Sequence, residues 1–172
     1  MSKSILIIAI SFLTIGSSKA QSNIPMKSIN HNAPVTCSKS IVINATPETV
    51  WHFVTEINNW PSWQKDISFA SLNGPLSANS IFTWKTGGAK IKSILHTVIP
   101  YSGFGWTGKT FGMYAIHNWK IEADRGKTKV TVDESMEGLL ARLFKKSFNR
   151  NLEIGMQSWL AMLKLTCEQT KN

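Results

Sequence analysis

Residues 117–135 read HNWKIEADRGKTKVTVDES, and apolar and polar side chains alternate on both sides of the dipeptide Arg125-Gly126. This alternation predicts two β-strands joined by a tight turn. The turn sets three pairs opposite each other on one face: His117 with Glu134, Trp119 with Val132, and Ile121 with Val130. The other face, towards water, takes Asn118, Lys120, Thr131 and Asp133. A His and a Glu thus share the inner face, where burial costs roughly several kcal/mol unless they satisfy each other or face a wet cavity.

The same period of two extends over residues 66–137 and is interrupted by Gly, Pro and Asn turns. It predicts six strands: Ile67–Leu72, Ser80–Thr86, Ala89–Ile99, Phe104–Gly108, Gly112–Ala123 and Lys127–Glu137. Because the connections are short, neighbouring strands are expected to run antiparallel. The dipeptide Gly87-Gly88 is a hairpin signal that sets Trp84 opposite Ile91.

Helical patterns flank these strands. A first strand over Val35–Asn44 precedes a helix capped by Thr46, and Trp60-Pro61-Ser62-Trp63 indicates a short second helix. After Gly138 apolar residues recur at spacings of three and four, which predicts one long amphipathic helix with a bend or close approach at Gly155. The predicted fold is α+β: a seven-stranded antiparallel sheet wrapped around a long C-terminal helix, with two short helices after the first strand.

Residues 1–20 have the pattern of a secretory signal peptide. A basic start precedes the apolar run Ile5–Ile15, and small residues favour cleavage between Ala20 and Gln21. The run is too short to span a bilayer, and a retained signal anchor is the alternative. We therefore expect export to the periplasm or outside the cell, with a flexible leader over residues 21–34 and one domain over residues 35–169.

Cys37 and Cys167 are the only cysteines in the chain. An oxidising compartment permits a disulfide between them, and each also suits the role of a small buried hydrophobe. A disulfide requires Cα atoms within about 7 Å, which the sequence does not decide. No metal site follows from two cysteines, and no phosphate-binding glycine loop is present, so neither a metal nor a cofactor is expected.

The chain is basic. Cleavage would remove Lys3 and Lys19, which leaves 19 − 2 = 17 basic and 10 acidic residues, a net charge of +7. Most lysines alternate with apolar residues, as on a solvated sheet face. One side of the last helix carries a cluster of Arg142, Lys145, Lys146 and Arg150. A solvated face explains this cluster, and weak contact with an anionic membrane surface is the alternative; an exported protein is not expected to bind nucleic acid.

Several motifs follow one another in a characteristic order: Ile43–Trp51, Trp60–Trp63, Ser93–Pro100 leading to Trp106–Gly108, His117–Trp119, and Val130–Gly138. Together they resemble the START/Bet v 1-like (SRPBCC) superfamily, in particular its polyketide cyclase/dehydrase and lipid-transport group, over residues 35–169. The resemblance implies the helix-grip fold, with a tapered cavity under the long helix for lipids, aromatic polyketides, hormones or other apolar molecules. The superfamily contains carriers, sensors and enzymes, so the fold alone does not choose a function.

His117 and Glu134 are the candidate catalytic residues. A carboxylate bonded to an imidazole raises its basicity and fixes its tautomer, as a general base for aldol cyclisation or dehydration requires. The alternative is that the two residues satisfy each other beside the cavity or orient a polar group of a ligand. The visible candidates for holding an oxyanion are Tyr101, Tyr114 and Ser93, and no motif supports them.

Eight inward-facing side chains are the predicted ligand contacts: Trp84, Ser93, Trp106, His117, Trp119, Glu134, Phe148 and Trp159. The aromatic ones suit either stacking on a planar ligand or filling a core. The remaining histidines, expected at the surface, are His31, His52 and His96. Three functions stay open: a monomeric binding protein for an apolar small molecule or lipid, a cyclase or dehydratase, and an interaction module with a filled core.

Overall fold

The structure is a computed structural model that describes residues 26–170. The predicted signal peptide and its cleavage between Ala20 and Gln21 lie outside these residues. Residues 26–170 contain seven strands: β1 Val35–Ile43, β2 Ile67–Asn73, β3 Ile81–Thr86, β4 Ala89–Ile99, β5 Gly103–Thr110, β6 Met113–Asp124 and β7 Lys127–Glu137. They form one antiparallel sheet in the order β1-β7-β6-β5-β4-β3-β2.

Four α-helices accompany this sheet in the described part of the chain: α1 Pro47–Thr55, α2 Trp60–Trp63, α3 Leu139–Leu143 and α4 Lys145–Gln169. Thr46 caps α1, because its hydroxyl accepts a hydrogen bond from the Thr49 N–H (3.3 Å). The long helix α4 lies beside β1, where Lys164 Nζ donates to Val42 O (2.8 Å). This is the predicted helix-grip fold, with two short helices after the first strand.

The strand registers agree with the sequence pattern. On the inner face of the β6–β7 hairpin His117 lies opposite Glu134 and Trp119 opposite Val132. Across the β3–β4 turn Trp84 pairs with Ile91. The strand ends differ from the prediction by one or two residues: β5, for example, begins at Gly103 and ends at Thr110. Alternation fixed these registers because a slip of one residue would turn every side chain to the other face.

A β-bulge at His96 interrupts the pairing of β4 with β5. Leu95 pairs with Trp106 and Thr97 with Gly105, so His96 has no partner residue on β5. Alternation already assigns His96 to the outer face with Lys92 and Ile94, and its ring lies there beside Gly105. His96 is half-buried there with its Nε2 atom shielded from solvent, which corrects the prediction of a surface histidine.

Residues 26–34 lie against the outer face of the sheet, which differs from the predicted flexible leader. The Asn30 N–H donates to Ser135 Oγ on β7 (3.1 Å). Asn118 Nδ2 on β6 donates to Lys27 O (2.8 Å). Asn118 is consequently buried, although the alternation predicted that it faces water. The alternation assigned the correct face and failed only because another segment covers it.

The C-terminal helix is interrupted, contrary to the prediction of one continuous helix. Phe144 separates α3 from α4 with non-helical backbone angles (φ −109°, ψ 29°). Before α3, Gly138 has φ 122°, and a Cβ there would lie 2.6 Å from the carbonyl oxygen of Gly112. Glycine is required at that position on both counts. Gly155, where a bend or close approach was expected, lies within the continuous helix α4 and has open space beside its Cα.

Cys37 and Cys167 are both free thiols, which excludes the disulfide alternative in this structure. Lys39, two residues after Cys37, forms an ion pair with Glu153 on α4. At 1.5 Å per residue, Cys167 lies about 20 Å further along the helix than Glu153, far beyond the span of a disulfide. Burial raises the pKa of both thiols, that of Cys167 to about 12.

Candidate functional site

A cavity of about 250 Å³ separates the inner face of the sheet from α4. It lies towards one end of the sheet, where the β3–β4 and β5–β6 turns and the beginning of α4 meet. The sheet side includes Trp84, Trp106, Met113, His117, Glu134 and Met136, and the helix side Phe148, Leu152, Gly155, Met156 and Trp159. Thr86 and Thr110, at the ends of their strands, also line the space.

Six of the eight predicted ligand contacts line this cavity: Trp84, Trp106, His117, Glu134, Phe148 and Trp159. The other two lie behind the wall. Ser93 is fully buried and accepts a hydrogen bond from Trp84 Nε1 (3.1 Å). Trp119 is also fully buried, with its ring centroid 5.5 Å from that of Trp159. Both residues support rings that face the cavity rather than facing it themselves.

The His117–Glu134 pair is the polar feature of the inner wall. Each side chain is about one-tenth exposed, and the Glu134 carboxylate accepts a hydrogen bond from His117 Nδ1. The Trp106 ring stacks on the imidazole, with centroids 4.2 Å apart and planes 13° apart. A carboxylate on Nδ1 and a ring on one face fix both the tautomer and the orientation of the imidazole.

His117 Nε2 has no hydrogen-bond partner among residues 26–170, and it is shielded from solvent. When Glu134 holds the Nδ1 proton, Nε2 of the neutral ring carries a lone pair and accepts a hydrogen bond. Leaving a buried polar atom unpaired costs about 1–3 kcal/mol.

Tryptophan rings form a cluster behind and beside the cavity. The Trp60 ring packs edge-on against Trp159 (5.1 Å between centroids) and Trp84 (6.1 Å). Trp84 and Trp159 are 6.2 Å apart, also edge to face. Trp60 is itself fixed, because its Nε1 donates to Val54 O (3.0 Å). These contacts hold the cavity-lining rings in defined orientations.

Tyr101 and Tyr114, the two candidate tyrosines for an oxyanion site, do not contact the His117–Glu134 pair and lie outside the cavity. Tyr101 is half exposed and packs on Trp51 (6.2 Å between centroids). Tyr114 points outwards, where its hydroxyl accepts a hydrogen bond from Lys27 Nζ (2.8 Å). Ser93 is engaged behind Trp84, as described above. Neither tyrosine lines the cavity beside His117, and within residues 26–170 no three His, Cys, Asp or Glu side chains come together to hold a metal ion.

The remaining histidines have separate roles. His31 and His52 are exposed, as predicted, and His52 lies 3.4 Å from the Glu56 carboxylate one turn along α1. His96 has a pKa lowered to about 4, because burial and then the nearby Lys27 charge disfavour the imidazolium. None of these three lines the cavity.

Some lining residues were missed by sequence reasoning although a signal was available. Met113 and Ala115 lie on β6 at the same parity as His117, and Met136 lies on β7 at the same parity as Glu134. Extending the alternation from the central pair towards the strand ends would have found them. Gly155 had a different signal: a glycine on the apolar stripe of a helix leaves space.

The fold and this site define the class of the protein: a helix-grip domain of the START/Bet v 1-like superfamily. Similar solved structures include a hypothetical protein from Helicobacter pylori, with a TM-score of 0.73 and 16% identity over 83% of this chain and 98% of that one. A START superfamily protein from Mycobacterium smegmatis has a TM-score of 0.64 and 15% identity, over 78% and 98% of the two chains. The di-domain ARO/CYC StfQ from the steffimycin biosynthetic pathway has a TM-score of 0.70 and 12% identity, over 80% of this chain and 51% of that one. Identities this low show the fold alone.

The chain belongs to the family described as polyketide cyclase / dehydrase and lipid transport, whose model matches residues 34–168. This confirms the resemblance drawn from the motifs. The fold is thus a ligand-binding one, in a family that generally binds hydrophobic small molecules or lipids. A comparison with curated proteins found no match.

Proposed function

We propose that this protein binds a compact, mostly apolar molecule that carries one hydrogen-bonding group, in the cavity under α4. The observation that carries the proposal is the oriented His117–Glu134 pair in a mostly apolar cavity wall, with a His117 Nε2 atom that has no hydrogen-bond partner among residues 26–170. Burial of apolar surface supplies the affinity, about 25 cal/mol per Å², and His117 supplies the orientation.

The cavity volume sets the size of the ligand. An apolar cavity of about 150 Å³ holds benzene, so the space of about 250 Å³ here suits a molecule of one to two rings. A two-chain lipid would require α4 to move away from the sheet. The flat faces of the tryptophans favour an aromatic or otherwise planar ligand.

Two matched probes test the role of His117. β-Naphthol and β-methylnaphthalene have nearly the same shape, and only the first carries a hydroxyl. Titrations followed by calorimetry should show that His117→Ala weakens β-naphthol binding about tenfold, the loss of one hydrogen bond in a buried site, and β-methylnaphthalene binding much less. An equal loss for both probes would contradict the orienting role of His117.

A cyclase or dehydratase is the second candidate function. The observation that favours it is the same Nε2 atom, because a neutral imidazole with its Nδ1–H held by Glu134 is a competent general base. Incubation with a diketone able to close a six-membered ring by aldol condensation tests it. Turnover with an imidazole-like pH midpoint, lost in both His117→Ala and Glu134→Gln, would establish catalysis; a rate equal to that of buffer would exclude it for this substrate.

The proposal includes export through residues 1–20 and a monomeric state. The basis for export is the apolar run with small residues before Gln21. N-terminal sequencing of the protein from its native cells should begin at Gln21. A start at Met1 would contradict export. Sedimentation of the same material should show a monomer, and a stable dimer would contradict the monomeric state.

A further inference from the structure

The most exposed large apolar side chains of the described chain gather at one end of the molecule. Phe111 and Leu139 are each 70% exposed, Leu143 is 67% exposed and Phe144 56%. Phe111 is at the tip of the β5–β6 turn, and the other three belong to α3 and the break that follows it. Water contact at four such neighbouring side chains is unfavourable, so this surface points to a partner.

These side chains form one surface, which we call the apolar tip (Phe111, Leu139, Leu143 and Phe144). Gly138, at the start of α3, lies against the carbonyl oxygen of Gly112, next to Phe111. The tip also borders the cavity. Thr110 and Met113, on either side of the β5–β6 turn, line the cavity, and so does Phe148, one helical turn after Phe144. The apolar tip is thus the rim of the candidate ligand site.

Cations surround the apolar tip on both sides. Along α3 and α4 lie four exposed basic residues: Arg142, Lys145, Lys146 and Arg150. On the outer face of the sheet, near the same turns, lie Lys85, Lys90 and Lys109, also exposed. Within residues 26–170 none of these seven forms an ion pair with a carboxylate.

The spacing of these cations is unfavourable for the isolated molecule. Lys85 lies directly opposite Lys90 across the β3–β4 hairpin, and like charges in that position repel. A carboxylate close to this end is that of Glu137, which accepts a hydrogen bond from the Asn30 side chain (3.0 Å). Four carboxylates lie instead around α1, the β6–β7 turn and the far end of α4: Glu48, Glu122, Asp124 and Glu168.

We propose that the apolar tip and its surrounding cations dock on an anionic membrane surface, with the cavity rim facing the bilayer. Apolar side chains that enter the headgroup region, flanked by Lys and Arg over anionic lipids, are the pattern of interfacial membrane binding. No helix among residues 26–170 is long and apolar enough to cross a membrane.

Docking in this orientation gives the cavity a path to the apolar phase. A ligand that partitions into the bilayer could pass between membrane and cavity beside Phe148 without crossing bulk water. This exchange role rests on the proposed function, whereas adhesion to the membrane does not.

Vesicle flotation tests the adhesion. Vesicles of phosphatidylcholine alone are compared with vesicles in which one quarter is phosphatidylglycerol, at about 0.1 M and about 0.5 M salt. The protein should float with the anionic vesicles at low salt, and neither with the neutral vesicles nor at high salt. Absence of flotation with anionic vesicles would overturn the proposal and assign the surface to a protein partner.

Paired variants locate the surface. Lys145→Ala with Lys146→Ala should reduce the affinity for anionic vesicles about tenfold or more, since each basic residue near the surface contributes about fivefold. Phe111→Ser with Phe144→Ser should reduce it similarly. The matched controls are the exposed residues Lys127 and Lys129 at the other end of the sheet, changed to Ala, and Leu165→Ser for the apolar pair. Equal losses in the variants and their controls would overturn the assignment.

Binding of β-naphthol in buffer without vesicles keeps the two proposals separate. The double lysine variant should bind the probe as the wild type does, because neither lysine lines the cavity. Flotation without probe binding would leave membrane docking intact and refute the cavity function. Probe binding without flotation would refute membrane docking and leave the cavity function intact.

Discussion

Gly105 lies beside His96 and Asn118 on the outer face of the sheet, and its lack of a side chain leaves room for both. A Cβ at this position would lie 2.6 Å from both Asn118 Oδ1 and His96 Cε1, and 3.1 Å from the His117 carbonyl oxygen. Such contacts require the neighbouring groups to shift. In contrast, a Cβ at Gly155 would meet nothing within 4 Å.

The two glycines are therefore expected to respond in opposite ways to alanine. Gly105→Ala should lower the free energy of unfolding by about 1–3 kcal/mol through overpacking. Gly155→Ala should raise it by about 0.5–1 kcal/mol, because alanine favours the helix and fits the space. Urea unfolding of the two variants measures both effects, and a destabilised Gly155→Ala would contradict the open space assigned to the cavity.

Among single residues, sequence reasoning placed the central pair correctly because strand alternation is a strict rule. His117 and Glu134 followed from one turn position. Ser93 also lies on the inner face, yet the Trp84 indole covers it, and alternation carries no information about which side chain lies in front. Depth behind the wall depends on rotamers, which only the packed structure determines.

At the level of elements, the strands were predictable and their irregularities were not. Repeated alternation and two-residue turns gave six strands to within a few residues at each end. The bulge at His96 and the break at Phe144 each involve a single residue, and neither changes the surrounding pattern of residue types. The docking of residues 26–34 depends on hydrogen bonds to strands 91 and 105 residues away in sequence, which a local pattern cannot report.

His96, half-buried on the outer face of the sheet, should make the stability of the fold sensitive to acid. The folded pKa of His96 is lowered to about 4, while an unfolded histidine titrates near about 6.5. Between these values the unfolded chain binds a proton that the folded chain does not, so stability falls as the pH falls through this window. Below the folded pKa the loss is complete.

Thermal unfolding between about pH 7 and about pH 5 measures this effect. The Tm of the wild type should fall by several degrees, and His96→Gln should show a smaller fall because its amide does not titrate. His52→Gln is the matched control, because it makes the same substitution at an exposed histidine. A wild-type profile unchanged in His96→Gln would refute the assignment to His96.

At the level of the whole molecule, the cavity and a set of unpaired basic residues of the described chain lie at the same end of the sheet. The cavity lies at the end of the sheet that carries the exposed apolar side chains and seven unpaired cations of the described chain. The sequence indicated the basic cluster on the last helix, but not its neighbours on the sheet. Their proximity comes from the antiparallel order, which brings the β3–β4 and β5–β6 turns to the same end.

The existence of free volume was the property least accessible from the sequence. The same tryptophans serve equally well to fill a core or to line a pocket, and the difference is one of orientation. Here the edge-on contacts of Trp60 hold Trp84 and Trp159 at the wall, and Gly155 removes a side chain from the helix side. A larger residue at Gly155 is therefore the most selective way to close the cavity without touching its polar pair.

The most direct test of a ligand in this cavity compares wild type with Gly155→Leu, each purified from native cells, extracted into organic solvent and analysed by mass spectrometry. We expect a near-stoichiometric apolar compound of one to two rings in the wild type and its absence from the variant, with both proteins folded by circular dichroism. An extract without any such compound from the wild type, or the same compound in equal amount from both proteins, would contradict it.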